Sequence, residues 1–229
     1  MKRSELKKRI AENPFAVLGE IVYQSLYEDI ISLRIAPGSK LNESRIAEEL
    51  GISRTPVKTA LTQLEKDNLL LKKGGTICVV SPMTKEESRQ LFEARIAIEG
   101  YAVYLAAKRI AQSELSELEQ LVTQYSKIGD CLEPVIYAEC DHKFHALIIK
   151  ASRNTYIQKM YATIEKRLLH YRHCLLPTIG AQRLQPILTQ AAKHHQILFN
   201  AIRLGFSDTA RNEMEVDISG MTNVFSEWQ

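Results

Sequence analysis

The chain has 229 residues, enough for one large domain or two modest ones that each bury a core, and a net charge of only +3. No apolar run approaches the roughly 20 residues that span a bilayer, and no apolar signal core follows the basic N-terminus, so the expected location is the cytoplasm. Cys78, Cys131, Cys140 and Cys174 are widely spaced and form no C-x-x-C pair, which in a reducing compartment points to free thiols.

The distribution of charge says more than its sum. Residues 1–83 carry 13 Lys and Arg against 10 Asp and Glu, whereas residues 84–229 carry 17 of each. All the positive excess therefore lies in the N-terminal part, where a phosphate-binding surface would need it.

Residues 1–14 form a basic arm with Lys2, Arg3, Lys7, Lys8 and Arg9, read as a short solvated helix or as a frayed arm near DNA, and Pro14 ends it. Ile21, Val22, Leu26, Ile30 and Leu33 then trace a helical stripe, followed by the turn Ala36-Pro37-Gly38-Ser39. From Leu41 to Leu71 the pattern is helix, short turn, helix. Asn42 or Glu43 opens the first helix, Gly51 closes it, Ser53 is the expected N-cap of the second, and Pro56 sits in its first turn.

Val57, Ala60, Leu61 and Leu64 form the buried stripe of that second helix, while Arg54, Thr55, Lys58, Thr59 and Gln63 lie on its other face, suited to phosphates and base edges. A plain helical hairpin would share this spacing. The next residues argue against it: Leu69 to Leu71, the turn Lys72-Lys73-Gly74-Gly75, and the β-rich run Thr76 to Val80 make a two-stranded wing. Residues 15–80 thus read as a winged helix-turn-helix and residues 81–83 as a linker, with Thr84-Lys85-Glu86-Glu87 as a capping box that opens the next helix.

Residues 84–229 read as six amphipathic helices in an antiparallel bundle. The first runs to about Lys108, and the second follows Ser113 and is broken at Gly129-Asp130. The third runs from about Glu133 to Lys150 and the fourth from about Thr155 to Cys174. A loop from Leu175 to Pro186 precedes the fifth, which Gly205 stops, and Asp208 caps the sixth. Asp141 and His145 are four apart on one helix face and can ligate one metal. His194 and His195 lie on the fifth helix and Asp217 on the sixth. Taken alone, such a pair is more often a surface hydrogen bond or salt bridge.

The run PGSKLNESRIAEELGISRTPVKTAL resembles the DNA-binding domain of the gluconate-repressor (GntR) family of bacterial transcription factors. The resemblance implies DNA contacts at Glu43, Ser44, Arg54, Thr55, Lys58, Gly74 and Gly75. Two positions depart from the family pattern: Lys58 stands where Arg is usual, and Leu33 stands where Gly is common. The run DHKFHALIIKASRN, with HQILFNAIRLG after it, resembles the FCD domain, the helical ligand-binding domain of the fatty-acid-regulator-like (FadR-like) branch.

That second resemblance implies a divalent metal on Asp141, His145 and His195 that completes a pocket for a small carboxylate effector. The usual final His is replaced here by Asp217, which makes Mn²⁺ or Mg²⁺ plausible beside Zn²⁺ or Ni²⁺. His194, about 100° around its helix from His195, falls outside the set. Arg95 is the first choice for effector capture, with Arg167 and Arg172 next, although a surface ion pair would equally account for those two. Tyr101, Tyr104, Tyr137, Tyr161 and Tyr171 can add hydroxyl contacts.

The expected fold is mainly α, an N-terminal winged helix-turn-helix plus a C-terminal all-helical, FCD-like bundle. The expected function is that of a dimeric, metabolite-controlled repressor on a palindromic operator, with no enzymatic activity. The competing reading is a metal-dependent helical enzyme with an accessory winged-helix module, in which Asp141, His145 and His195 activate a water. No general base, nucleophile or phosphate loop of recognisable spacing accompanies those residues.

Overall fold

A computed structural model describes residues 3–131 and 133–226. The chain divides into two compact units, Met1–Met83 and Thr84–Gln229.

The first unit contains helices α1 (Arg3–Glu12), α2 (Leu18–Ile31), α3 (Glu43–Leu50) and α4 (Arg54–Lys66) and strands β1 (Lys40–Asn42), β2 (Leu70–Gly74) and β3 (Ile77–Val80). The strands form an antiparallel sheet in the order β1-β3-β2, with Leu41 opposite Cys78 and Leu71 opposite Val79. The sequence pattern showed the β2–β3 wing but not β1, which is too short to carry a period of two. Val22, Leu26, Ile30, Val57, Ala60 and Leu64 fill the core between α2 and α4. The Asn42 side chain caps α3 by accepting from the Arg45 N–H at 3.0 Å. Ser53 occupies the N-cap position of α4 without a side-chain bond.

Gly51 ends α3 at φ +66°, a backbone conformation that favours glycine, whereas a Cβ there would meet only the movable Arg3 guanidinium at 2.7–2.9 Å. The N-terminal segment is the short, largely exposed helix of the two alternatives and not a frayed arm, but it is docked. Helix α1 packs on α2 and α3, Leu6 is 2% exposed, and Arg9 donates to Glu28 at 3.1 Å. Burying one leucine stabilises by about 1.5–3 kcal/mol, enough to hold a helix whose other residues are mostly polar.

The second unit contains seven helices among the described residues, not six. They are α5 (Lys85–Arg109), α6 (Gln112–Cys131), α7 (Pro134–Ala151), α8 (Thr155–Ala162), α9 (Glu165–Leu175), α10 (Ala181–Arg203) and α11 (Ser207–Ser226). The expected fourth helix is split at Thr163-Ile164, where the Thr163 hydroxyl donates to the Met160 carbonyl at 2.6 Å and two i→i+3 backbone bonds tighten the turn. Gly129-Asp130 does not break α6, which stays helical to Cys131, and the chain turns only where Pro134 opens α7.

The expected loop from Leu175 to Pro186 is shorter as well. A 3-10 turn spans Leu176–Thr178, and Pro186 lies in the second turn of α10. Helix α5 is the axis of the bundle. Thr84 caps it by accepting from the Glu87 N–H at 3.1 Å, and Leu91, Phe92, Ile98, Ala102, Val103 and Ala106 are buried around its whole girth. Helices α7 and α11 pack directly on it.

Leu33, at the position where related sequences are expected to have glycine, sits at φ +60° between α2 and β1. A left-handed conformation costs a Cβ-bearing residue roughly 1–2 kcal/mol. Leu33→Gly is expected to stabilise the first unit by up to about 1 kcal/mol, because glycine's own unfolded-state entropy offsets part of the gain. Urea unfolding read by far-UV circular dichroism measures this. A loss of stability would mean that the half-buried leucine packs more strongly than the backbone is strained.

Candidate functional site

The first unit presents one coherent polar surface. Arg54, Thr55, Lys58, Thr59 and Gln63 are all exposed along α4, opposite the buried Val57, Ala60, Leu61 and Leu64. Gly74 (φ +112°) and Gly75 (φ +57°) turn the exposed wing tip with open space around both, behind Lys72 and Lys73. The start of α3 is tied to that wing, since the Glu43 N–H donates to the Thr76 carbonyl at 3.1 Å, and Glu43 and Ser44 remain half-buried there. Helix, wing and α3 N-terminus thus present the seven sequence-derived DNA residues on one unit, with Arg54, Thr55 and Lys58 on the outer face of α4.

The second unit buries a polar cluster where α5, α6, α7, α9, α10 and α11 meet. The i,i+4 spacing of α7 puts Asp141 and His145 on its buried face, and α10 and α11 bring His195 and Asp217 against them. His145 Nε2 is 3.6 Å from Asp141 Oδ1 and 3.5 Å from Asp217 Oδ2. His195 Nε2 is 3.7 Å from Asp141 Oδ1 and 3.3 Å from Asp217 Oδ1. Asp141, His145 and His195 offer ligand atoms within 4.8 Å of one another, an Asp/His/His set of the kind that holds a metal. Neither histidine Nε2 makes a hydrogen bond, although both side chains are fully buried. Phe144 stacks on the His195 ring at 4.3 Å and Tyr125 meets it edge-on at 4.2 Å.

Four further residues complete the cluster. The Tyr125 hydroxyl donates to Asp141 Oδ1 at 2.6 Å, and Arg172 lies against Asp141 Oδ2. Glu99 on α5 faces His145 Nδ1 at 2.6 Å and accepts from Arg95 Nε at 2.6 Å. Tyr125 and Glu99 were missed by sequence reasoning. The i,i+4 pairing of Glu99 with Arg95 amid Ile96, Ile98 and Ala102 was a signal available for Glu99.

The candidate effector cations separate clearly. Arg95 is buried but engaged by Glu99, and Arg167 forms a bidentate pair with Glu87 at 2.7 Å for both bonds. Arg172 is the one directed at Asp141. His194 lies outside the cluster, 2.8 Å from Gln190 and 3.7 Å from Glu213. Tyr137 and Tyr161 are buried, Tyr171 pairs with Ser88, and Tyr101 is exposed beside Tyr104.

Electrostatics hold the cluster in its ionised form. Burial would raise the carboxylate pKa values, but Arg95 and His145 outweigh it at Glu99, holding it near about 2, and Arg172 and His145 do the same at Asp141. Asp217 is likewise held below the usual carboxylate range, against burial, by His195 and His145. Burial opposes protonation of His145, yet Glu99 and Asp141 push it up to about 10 in the metal-free cluster.

Glu99→Gln strands Arg95 in the core opposite a neutral amide and is expected to cost about 3–5 kcal/mol, while adding Arg95→Met should recover much of the loss. Because the folded pKa of Glu99 lies below its unfolded value, the pair's contribution is present above about pH 4.5 and is lost as pH falls toward about 2. Urea unfolding of both variants at several pH values checks this. A double variant no more stable than Glu99→Gln would refute the pairing.

Residues 18–80 match the sequence profile of the bacterial regulatory proteins of the gntR family, and residues 90–219 match the FCD domain. The HTH-type transcriptional regulator YdhC of Bacillus subtilis is 26% identical over 193 residues, 84% of either chain. The HTH-type transcriptional repressor RspR of Escherichia coli is 26% identical over 170 residues, covering 72% of this chain and 75% of its own. Among solved structures, Escherichia coli McbR/YncC superposes with a TM-score of 0.76 at 20% identity over 92% of this chain and 98% of its own, a likeness of fold. No helix among the described residues is long and apolar enough to cross a membrane. The matched families consist of regulators, so the enzyme alternative falls away, and the chain belongs to the GntR family of DNA-binding transcription regulators, in the branch that carries an FCD domain.

Proposed function

We propose that the protein is a homodimeric cytoplasmic repressor whose grip on a palindromic operator is controlled by a small carboxylate bound beside a divalent metal in the helical unit. The observation that carries this reading is the buried cluster of Asp141, His145, His195 and Asp217, within a chain that also presents a winged helix. Repression is supported by the relative named as a transcriptional repressor.

The donor set fits a metal. Four donors at about 2.1 Å from one ion, at tetrahedral angles, lie about 3.4 Å apart. The four histidine-to-carboxylate separations are 3.3–3.7 Å, too long for good hydrogen bonds and close to that spacing. The histidine Nε2 atoms have no hydrogen-bond partner, as expected of lone pairs reserved for a ligand. Two anionic oxygens with two imidazoles suit Zn²⁺, Ni²⁺ or Mn²⁺, and Mg²⁺ less well because it favours oxygen. Bound there, the ion supplies positive charge and a Lewis-acidic point for an anionic oxygen.

Arg172 takes over the role first given to Arg95. Its side chain is 5% exposed, and while Nη2 is ion-paired with Asp141 Oδ2, Nη1 makes no hydrogen bond. Helix α9 also offers a path for the response. It carries Arg172 at one site, and Arg167 and Tyr171 where Glu87 and Ser88 begin α5. A ligand that moves Arg172 therefore moves the first turn of α5, which directly follows the residues 81–83 leading from the wing. Two recognition helices must fit two half-sites together, so a small change in that turn suffices to lose avidity.

Arg54→Ala is expected to lose both affinity and base preference, whereas Lys58→Ala should weaken binding evenly across sequences and lower the salt slope by about 1. Mobility-shift titrations against operator and scrambled DNA decide the point, and unchanged base preference in Arg54→Ala would remove it as the reading residue. His195→Ala should lose most bound metal, melt at lower temperature, and respond no longer to the effector in DNA binding. Metal analysis of the variant purified without chelator is the check. Full metal content would place the ion elsewhere.

A further inference from the structure

The buried cluster can be read for the charge of the ligand it takes, an inference that rests on the metal-and-effector reading above. Asp141, Asp217 and Glu99 face two guanidiniums, Arg95 and Arg172, within one set of direct contacts. Histidines that ligate metal are neutral, so these five side chains carry a net charge of −1, and a divalent ion raises it to +1. An uncompensated charge in a buried site is costly, and one more negative charge removes it.

The receiving groups are already in position. Arg172 Nη1 and the Tyr137 hydroxyl are buried without a hydrogen-bond partner, Arg172 Nη2 meets Asp141 Oδ2, and both side chains line a cavity of about 10 Å³ beside Asp141 and Asp217. That volume holds about one water. The remaining walls are Phe92, Leu168, Tyr171 and Arg95, so the ligand's body must be compact, meets apolar surface at Phe92 and Leu168, and must displace a wall side chain to enter.

We infer that the metal-loaded site selects a small monoanion, a monocarboxylate with a short apolar body, over dicarboxylates of the same length. The residue that decides this is Asp217. A histidine in its place would leave the loaded site at +2 and make a dianion the matching ligand.

The test uses the full-length protein loaded with Zn²⁺, its metal content measured before and after. Two- to four-carbon monocarboxylates and the dicarboxylate counterpart of each, butyrate against succinate among them, are titrated calorimetrically into wild type and Asp217→His. Wild type should bind the best monocarboxylate about tenfold or more tighter than its dicarboxylate counterpart, because a second buried negative charge is repelled. Asp217→His should keep its metal and shift the ratio toward the dicarboxylate by a similar factor. A wild type that loads metal yet prefers dicarboxylates, or binds neither class, overturns the charge argument alone. An unchanged ranking in a metal-loaded Asp217→His does the same. A wild type that takes up no metal overturns the parent reading, and this inference with it.

Discussion

Three carboxylates buried together in one cluster of the bundle are the constraint on which the rest of the helical unit depends. Glu99, Asp141 and Asp217 are each no more than 7% exposed, and none could remain ionised there without a cation in contact. Arg95 serves Glu99, Arg172 serves Asp141, and the two imidazoles stand between Asp141 and Asp217. Six of the seven helices contribute to this arrangement, so it works as a registration device. Shifting α7, α9 or α11 by a turn would leave a charge alone in the core, at a cost of several kcal/mol.

That cost explains why the cluster tolerates spacings that favour no hydrogen bond between His195 and its carboxylates. The polar atoms converge on a point rather than on each other, which suits a ligand site better than a structural salt bridge. Glu99 adds the feature usual around a ligating histidine, a carboxylate on the ring's other nitrogen that fixes its tautomer. Arg95, engaged by Glu99, thus contributes to the electrostatics of the site without being free to grip a ligand.

The DNA-binding unit rests on simpler physics. Its apolar stripe fixes which face of α4 points outward, and its glycines fix the turns. Where the chain departs from glycine, at Leu33, the backbone keeps the left-handed conformation, because the fold requires it more than the residue resists it. The N-terminal helix shows the converse. One buried leucine and one ion pair dock a segment whose composition suggests a free basic arm.

Local signals in the chain determined a good deal. Helical periodicity, the Gly51 stop, the Thr84 cap and the basic glycine turn made the winged helix, the helical bundle and the face of Arg54, Thr55 and Lys58 legible, because each depends on residues within a turn or two of one another. The i,i+4 spacing of Asp141 and His145 was legible for the same reason, and resemblance added His195 and Asp217. Pairings across 70 residues or more could not be read in this way. Arg167 meets Glu87 across 80 residues, and Asp217 meets His145 from the far end of the bundle. Whether an arginine on a helix is free or engaged depends on what the opposing helix presents, and only packing supplies that. The same holds for the N-terminal arm. There the tertiary structure decided, because burial and long-range charge outweighed the local preference of the chain.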